Sequence, residues 1–553
     1  MADIRKFVLG HKEWIVILSC VFIFLLLLFK DPFSQRTLIP NFEPYPDTFN
    51  YIDPALNFVK GKGFSLNREG RIRVQAVPPL YSFSLIPMFL LKSDPLMAYY
   101  ANVILSSVSL LFFWLILRRI FVNKFIIFPL LILYVTNYFI YWVPSLIMAE
   151  NLTLTLFLIS VFSLLSRPAM VNQILLAALA IGVYATKYAN IPLTFTIVLF
   201  SLGKVVFTKL VLKQKIKLTL VLSIAVLLFF IILAVFEGIT KGNNIFAQIL
   251  EHLSSIERSV PKNDTPTGII SASSWFGIQY IRQNLPLYIN SLLGAPNRFL
   301  WDHTPLVPKF IAIAGLAGII GSIFSKKYRF LSLVLLLSIS AFIIFMSTFY
   351  SFDARYIYIA IPTLLIGLGL FLTGLENKIL KKGIFLKILI LIFICIYMLN
   401  NFTRIKSQIS LNLRYSETSW NYIAVLKMNE YFTADKIKNN KKPVLISALP
   451  PFLIDYYSNG NYTLLPLSSE QEFRGIKEIV WGPNDYSDLP ALYTKYLKDG
   501  YDLYVSRVGL GNEGYTNRDF NTIVAEFDTK LVLSGCYNQC NIYSVKLKEK
   551  NAQ

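Results

Sequence analysis

Long apolar runs recur along the first 400 residues, with short polar segments between them. A helix of about 20 apolar residues is long enough to cross ~30 Å of hydrocarbon. The pattern therefore predicts an all-α membrane domain with about eleven transmembrane helices. The predicted spans are residues 14–29, 96–117, 125–142, 151–166, 174–186, 190–203, 218–236, 309–324, 330–349, 356–375 and 384–400.

Two apolar segments can be assigned as crossings or not only from the pattern of charges along the chain. Pro79–Leu91 is short, and Lys187 interrupts the run from Ile174 to Phe200. Lys and Arg gather in cytoplasmic loops, and eleven crossings from a cytoplasmic N-terminus place every short basic cluster there. Pro79–Leu91 is therefore predicted to be an interfacial or re-entrant helix, and Lys187 the turn of a tight hairpin. The basic clusters lie around Arg118, Arg167, Lys209, Lys326 and Lys381.

This topology predicts two large outer loops, residues 30–95 and 237–308, and an outer tail, residues 401–553. In the tail, short β-rich runs alternate with helical stretches, a pattern typical of a small α/β domain. The sequence therefore predicts a membrane domain, residues 1–400, and a C-terminal extracytoplasmic α/β domain. The predicted strands are Val444–Ser447, Tyr462–Leu467, Tyr501–Arg507, Leu531–Leu533 and Ile542–Val545, and the predicted helices are Trp420–Phe432 and Leu489–Lys498.

Composition and charge agree with a membrane protein. The chain is 55% hydrophobic and only 15% charged, whereas soluble domains carry about 25% charged residues. Its net charge of +21 would suggest nucleic acid binding in a soluble protein. Here the excess Lys and Arg lies in the predicted cytoplasmic loops, so no nucleic acid partner is needed. Lys30-Asp31-Pro32 after the first run is no small-residue cleavage site, which favours a retained anchor.

The four cysteines fall into two groups. Cys20 and Cys395 lie inside predicted spans and are expected to be packing residues. Cys536 and Cys540 lie in the outer tail, with no further Cys or His ligands nearby for a metal. A local disulfide between them is favoured, and it fits an oxidising compartment.

Polar residues at the predicted outer surface are the candidates for catalysis and substrate binding. Asp47 precedes apolar residues at helical spacing, so a surface helix is expected to begin there. Alone, Asp47 could be only an N-cap. It is followed by further motifs that the topology places at the same surface. These are Pro78-Pro79-Leu80-Tyr81, Ala149-Glu150, Thr186-Lys187 and Arg355-Tyr356.

In their order and spacing, these motifs resemble the C-type glycosyltransferases (GT-C fold). The similarity is strongest to the branch of the protein O-mannosyltransferases and the lipid A aminoarabinose transferase, and it covers roughly residues 10–400. Asp47, Tyr51, Ala55 and Gly61 fill the first motif positions. One departure is that Ala76-Val77 stand where a Lys often precedes the two prolines, so the phosphate contact expected there would come from Gln75, Arg73 or elsewhere.

The resemblance implies transfer of a sugar from a polyprenyl phosphate carrier, outside the cytoplasm where nucleotide sugars are unavailable. A phosphate leaves as a stable anion, so the reaction needs a base for the acceptor hydroxyl and cations for the phosphate. Asp47 is the expected base, and Glu150 the second carboxylate that assists it or orients the acceptor. Lys187 and Arg355, with Tyr356, are the expected phosphate clamp. One base opposite the leaving group implies inversion at the anomeric carbon.

Each assignment has a structural alternative. Glu150 could serve the helix N-terminus beside Asn151, and Lys187 could only snorkel from its turn. Arg355 could form a structural ion pair with Asp353. Asp53 is a second candidate base, although Pro54 after it fits a structural turn. The further candidates for substrate contact are Tyr51, Asp53, Tyr81 and His303.

Other functions also fit a chain with many spans. The alternatives are an O-antigen ligase or polymerase, a lipid-linked sugar transporter, and a non-catalytic lipid-binding scaffold. The long acidic loop directly after the first span favours the transferase over a transporter. The expected acceptor is an extracytoplasmic glycan, lipid or protein. Asp47 and Glu150 could also share a divalent cation. The Lys-, Ile- and Asn-rich composition favours the plasma membrane of a low-GC prokaryote.

Overall fold

The computed structural model describes parts of both the predicted membrane domain and the predicted C-terminal domain. The described residues are 12–28, 47–68, 71–74, 77–93, 97–241, 277–296, 305–349, 352–378, several positions within 394–410, 428–433, 436–438, 440–447, 461–467, 470–473, 476–479, 488–507, 515–534 and 541–548. By internal contacts the chain divides into two compact units. The first comprises residues 1–64, 75–255 and 275–416, and the second comprises residues 65–74, 256–274 and 417–553.

The first unit is helical. Its helices are α1 (Lys12–Leu28), α2 (Asp47–Val59), α3 (Leu80–Leu91), α4 (Met97–Ile120), α5 (Lys124–Val135), α6 (Tyr138–Trp142), α7 (Glu150–Leu165), α8 (Met170–Thr186), α9 (Ile191–Phe207), α10 (Leu212–Lys241), α11 (Ile281–Leu292), α12 (Lys309–Ser322), α13 (Arg329–Ser347) and α14 (Ala360–Lys378). Short 3₁₀ turns precede several of them, among them Tyr188–Asn190 before α9 and Ala354–Ile357 before α14.

Many of these helices suit a membrane. Within the described part of the chain, four helical segments are long and apolar enough to span one: Met97–Ile120, Tyr188–Phe207, Leu212–Ile239 and Arg329–Ser347. Seven further apolar helices have 10–17 residues. Ten of the eleven predicted spans thus coincide with a described helix, and the eleventh, residues 384–400, lies almost entirely outside the described residues. The remaining apolar helix, α3, is the one expected to be interfacial or re-entrant.

The surface of the helical unit supports this conclusion. Large apolar side chains point away from the protein along α1 and α10, and Leu18, Phe22 and Ile224 are each 63% exposed. Exposed apolar stripes of this length are unusual in soluble proteins and suit contact with lipid chains. The chain is therefore a multi-pass membrane protein.

The third predicted span, residues 125–142, is not continuous. Helix α5 ends at Val135, and α6 starts afresh at Tyr138. Asn137 causes the break, because its side-chain oxygen accepts hydrogen bonds from the backbone N–H groups of Phe139 and Ile140 at 3.0 and 3.3 Å. This is N-capping, which begins a new helix and disfavours continuation of the old one.

Helices α12 and α14 pack through glycine. A Cβ on Gly315 would lie 2.5 Å from the backbone oxygen of Leu364, and Cβ atoms on Gly318 and Gly367 would also clash with the facing backbone. Small residues let two membrane helices approach this closely, so that dispersion contacts replace the missing hydrophobic drive. The contact fixes α14 and therefore the turn Ala354–Ile357 that leads into it.

The described strands of the second unit are β1 (Ser65–Arg68), β2 (Arg71–Val74), β3 (Val444–Ser447), β4 (Thr463–Pro466), β5 (Glu470–Phe473), β6 (Ile476–Ile479), β7 (Leu503–Ser506), β8 (Phe527–Leu533) and β9 (Ile542–Leu547), and its described helices are α15 (Leu489–Lys498) and α16 (Tyr515–Glu526). Five of the strands form a mixed sheet with the order β4-β3-β7-β9-β8. Strand β3 pairs in parallel with β4 and β7, whereas β9 is antiparallel to β7 and β8. The other four form two antiparallel hairpins, β1–β2 and β5–β6.

All five strands predicted for the tail coincide with strands of the sheet, and α15 has its predicted bounds. Val444, Ile446 and Val505 are fully buried in the core of this unit. The sequence pattern missed helix α16 and both hairpins. Of the predicted helix Trp420–Phe432, only the part from Met428 lies within the described residues.

Candidate functional site

A side-chain network fixes the turn between α8 and α9. The amide nitrogen of Asn190 donates to the hydroxyls of Thr153 at 3.0 Å and Thr186 at 2.9 Å. The two threonine hydroxyls are themselves 2.9 Å apart. Because Thr153 belongs to α7, these bonds join the turn to a neighbouring helix. The tight hairpin predicted at Lys187 is therefore present, and Lys187 is held in a defined place.

Lys187 faces both a carboxylate and an aromatic ring. Its Nζ lies 3.0 Å from Oε1 of Glu150, the first residue of α7. The same Nζ lies 4.3 Å from the ring centroid of Tyr356, a distance at which an ammonium is attracted to the face of the ring. The Lys187 side chain is 26% exposed and that of Glu150 is 7% exposed. Lys187 therefore makes specific contacts inside the protein instead of only reaching toward water.

Arg355 approaches the same ring from the turn before α14. Its Nη2 donates to the Tyr356 hydroxyl at 3.0 Å, and its Nη1 contacts Sδ of Met148 at 3.4 Å. Asp353 caps the turn by accepting from the Arg355 backbone N–H at 3.0 Å, and its other oxygen lies 3.5 Å from Nε. The ion pair considered as a structural alternative is thus present. It orients the guanidinium and leaves its Nη edge toward Tyr356.

Lys187 and Arg355 converge on one small cavity, as their motifs led us to expect, although 168 positions separate them in the sequence (355 − 187). The cavity measures about 20 Å³, room for roughly one water molecule. Its charged lining is one carboxylate and two cations, which gives a formal charge of +1 and suits an anion. The lining residues are Glu150, Thr153, Lys187, Ala189, Asn190, Phe342, Met346, Arg355, Tyr356, Tyr358 and Ile359.

Two oxygen atoms of this lining have no hydrogen-bond partner among the described residues. Oε2 of Glu150 and the hydroxyl of Tyr358 are buried and make no hydrogen bond to any described residue. A buried polar atom without a partner costs ~1–3 kcal/mol. Such a cost is unusual in a native protein, and a water molecule or a ligand that bonds to these atoms would relieve it.

A second network places Glu150. The Tyr81 hydroxyl donates to Oδ1 of Asn102 at 2.8 Å, and the Asn102 amide donates to the carbonyls of Pro144 and Leu146. These carbonyls belong to the turn that leads into α7. Tyr81 is fully buried and touches Tyr51 edge-to-face at 5.0 Å. Tyr81 thus bonds to the residue that holds the turn before α7, and neither Tyr81 nor Tyr51 is among the residues that line the cavity.

The structure describes the remaining predicted site residues only in part. Asp47 is the first residue of α2, as predicted, but its side chain lies outside the described residues. Asp53 is buried on the same helix with 2% exposure. His303, Cys536 and Cys540 also lie outside the described residues. Among the described residues, no three side chains of His, Cys, Asp or Glu form a group that could hold a metal.

Sequence reasoning missed Glu237. It lies near the end of α10, is fully buried, and its Oε1 accepts a 2.7 Å hydrogen bond from the hydroxyl of Tyr188. Tyr188 follows Lys187 directly, so α10 is fastened to the turn that carries the cation. The signal was present in the sequence, since an acidic residue within an apolar membrane run is rare and usually has a role.

No protein-family model and no curated protein matches this sequence, but solved structures do. ArnT from Cupriavidus metallidurans bound to undecaprenyl phosphate matches with a TM-score of 0.57 and 12% identity, covering 96% of this chain and 97% of its own. The apo state of the same ArnT matches with a TM-score of 0.56 and 11% identity, covering 97% of this chain and 98% of its own. AglB from Archaeoglobus fulgidus is an archaeal oligosaccharyltransferase, solved in complex with an inhibitory peptide and a dolichol-phosphate. It matches with a TM-score of 0.49 and 10% identity, covering 90% of this chain and 70% of its own.

ArnT is a lipid A aminoarabinose transferase of the GT-C fold. Its match extends over nearly the whole of both chains. This chain therefore has the GT-C fold, which confirms the fold that the sequence motifs indicated.

Proposed function

We propose that this protein is an inverting glycosyltransferase that moves a sugar from a polyprenyl phosphate carrier to an extracytoplasmic acceptor. The observation that carries the proposal is the convergence of Lys187 and Arg355 on one cavity beside Glu150. Two cations at a membrane helix end suit a lipid phosphate. Burial among apolar residues strengthens their attraction to an anion.

The structural neighbour supports the choice of lipid. ArnT was solved with undecaprenyl phosphate bound, and this chain shares its fold. In the proposed reaction the acceptor hydroxyl oxygen attacks the anomeric carbon while the bond from that carbon to the phosphate oxygen breaks. The bonding electrons leave with the polyprenyl phosphate. Lys187 and Arg355 hold its oxygens, and the planar guanidinium can engage two of them.

The proton of the acceptor hydroxyl goes to a carboxylate. We assign this role to Asp47, which begins α2, and Glu150 to orienting the acceptor. The 3.0 Å contact with Lys187 keeps one Glu150 oxygen engaged, so Glu150 is the less available of the two carboxylates. Attack opposite the leaving phosphate inverts the anomeric carbon, and no acid is needed for a phosphate leaving group.

The proposed arrangement in the membrane follows from the charge pattern. The N-terminus is cytoplasmic, and the cavity end of the bundle and residues 401–553 face outward from a prokaryotic plasma membrane. The proposed domains are residues 1–400 for transfer and 401–553 as an extracytoplasmic α/β domain. Its partners are the lipid-linked sugar donor, membrane lipids and a glycan, lipid or protein acceptor.

Binding of undecaprenyl phosphate to the purified chain tests the proposed clamp. Lys187→Gln and Arg355→Gln should each weaken binding by about 10–100-fold, because each removes a charge-assisted hydrogen bond to the phosphate. Arg119→Gln is the matched control, since the Arg119 guanidinium bonds to Ser166 and does not line the cavity. Wild type that fails to bind, or equal binding by all three variants, would contradict the proposal.

A further inference from the structure

The two lining oxygen atoms without a partner among the described residues differ in what they can bind. The Tyr358 hydroxyl can donate a hydrogen bond, whereas Oε2 of an ionised Glu150 can only accept one. Both residues line the same cavity and are almost fully buried, with exposures of 2% and 7%. They nevertheless form no hydrogen bond with each other.

One hydrogen-bond donor and one acceptor, both on residues that line a water-sized cavity, suit a hydroxyl group. A ligand hydroxyl can donate its proton to Oε2 of Glu150 and accept the hydrogen bond from Tyr358 at the same time. A phosphate could accept from Tyr358 but would be repelled by the carboxylate. The residues that line the cavity thus provide different hydrogen-bond partners for the phosphate and for the hydroxyl groups of a sugar phosphate. Lys187 and Arg355 suit the anion, and the Glu150–Tyr358 pair suits an alcohol.

We infer that Glu150 and Tyr358 form a binding subsite for one hydroxyl group of the sugar substrates. The inference rests on the proposed glycosyltransferase function, and it adds Tyr358, which no motif singled out, as a ligand-binding residue beside Glu150. The hydroxyl belongs either to the donor sugar or to the acceptor. The chemistry recognised is the same in both cases, and the measurements below separate the two sources.

The test variant is Tyr358→Phe, which removes only the donor oxygen. Tyr134→Phe is the matched control, because Tyr134 is equally buried but its hydroxyl already pairs with Ser109 at 2.9 Å and it does not line the cavity. Without ligand, Tyr358→Phe should unfold at the same or a higher temperature than wild type, since it loses an unpaired polar atom. Tyr134→Phe should unfold at a lower temperature.

Binding is then measured with undecaprenyl phosphate and with undecaprenyl phosphate linked to glucose, galactose or mannose. Tyr358→Phe should bind the bare phosphate as wild type does. If the donor supplies the hydroxyl, its affinity for the best sugar-linked lipid should fall about 3–10-fold, the worth of one hydrogen bond. A deoxy analogue lacking that hydroxyl should bind wild type and Tyr358→Phe equally well.

If the acceptor supplies the hydroxyl, binding of every sugar-linked lipid should be unchanged. The KM for acceptor, measured with membranes from source cells that lack this protein, should then rise about 3–10-fold in Tyr358→Phe. The inference is overturned if Tyr358→Phe equals wild type in donor affinity and in acceptor KM. Wild type that does not bind undecaprenyl phosphate would instead overturn the proposed function, so the two failures are distinguishable.

Discussion

At the residue scale, the site depends on how Lys187 is held. Glu150 binds its ammonium, and the next residue, Tyr188, donates to Glu237. Two carboxylates from different helices thus fix two successive residues. The sequence indicated Lys187 and Glu150 through their motifs and the charge pattern. It could not indicate their contact, because a pairing across 37 residues depends on how α7 and α8 pack.

Glu237 provides a test of this positioning. Glu237→Leu removes the acceptor of the Tyr188 hydroxyl, so the turn should loosen and affinity for undecaprenyl phosphate should fall about 3–10-fold. Glu237→Gln keeps an acceptor oxygen and should stay within about twofold of wild type. The measurement is lipid binding by the purified variants. Equal affinities for the Leu and Gln variants would show that this contact does not position Lys187.

At the element scale, the helices were predictable where they are long and apolar, and less so where one side chain changes the backbone. The break at Asn137 was missed because its cap depends on one side chain within an otherwise apolar run. The turn at Lys187 was found because a charge inside an apolar run is costly. Helix α16 was missed because most of its residues are polar, although Phe520, Ile523 and Val524 stand at helical spacing.

The glycine contact between α12 and α14 should contribute to the stability of the helical unit. Gly318→Ala places a Cβ against the backbone of Gly367 and should lower the unfolding temperature, at a cost of about 1–3 kcal/mol for overpacking. Gly321→Ala is the control on the same helix segment, because no atom lies within 4 Å of its added Cβ. Scanning fluorimetry in detergent would compare them. A Gly318→Ala variant as stable as Gly321→Ala would rule out close packing here.

At the scale of the whole molecule, the charge pattern makes a prediction about orientation. Single cysteines at Lys498 and Lys326 would be introduced after the four native cysteines are changed to serine. A membrane-impermeant thiol reagent applied to intact cells should label Lys498→Cys and leave Lys326→Cys unlabelled. Lysed cells should show labelling at both positions. Labelling of only Lys326→Cys in intact cells would reverse the proposed orientation.

The measurement that tests the account most directly is sugar transfer by purified Asp47→Asn protein. The asparagine keeps the size and hydrogen bonding of the side chain but removes its proton affinity. Transfer from the undecaprenyl-phosphate-linked sugar should therefore fall by about 10²–10⁴-fold, with lipid binding unchanged. Asp53→Asn should retain most of the activity. Near-normal transfer by Asp47→Asn, with activity lost in Asp53→Asn or Glu150→Gln, would contradict the assigned base. Full activity in all three variants would contradict the proposed transferase mechanism.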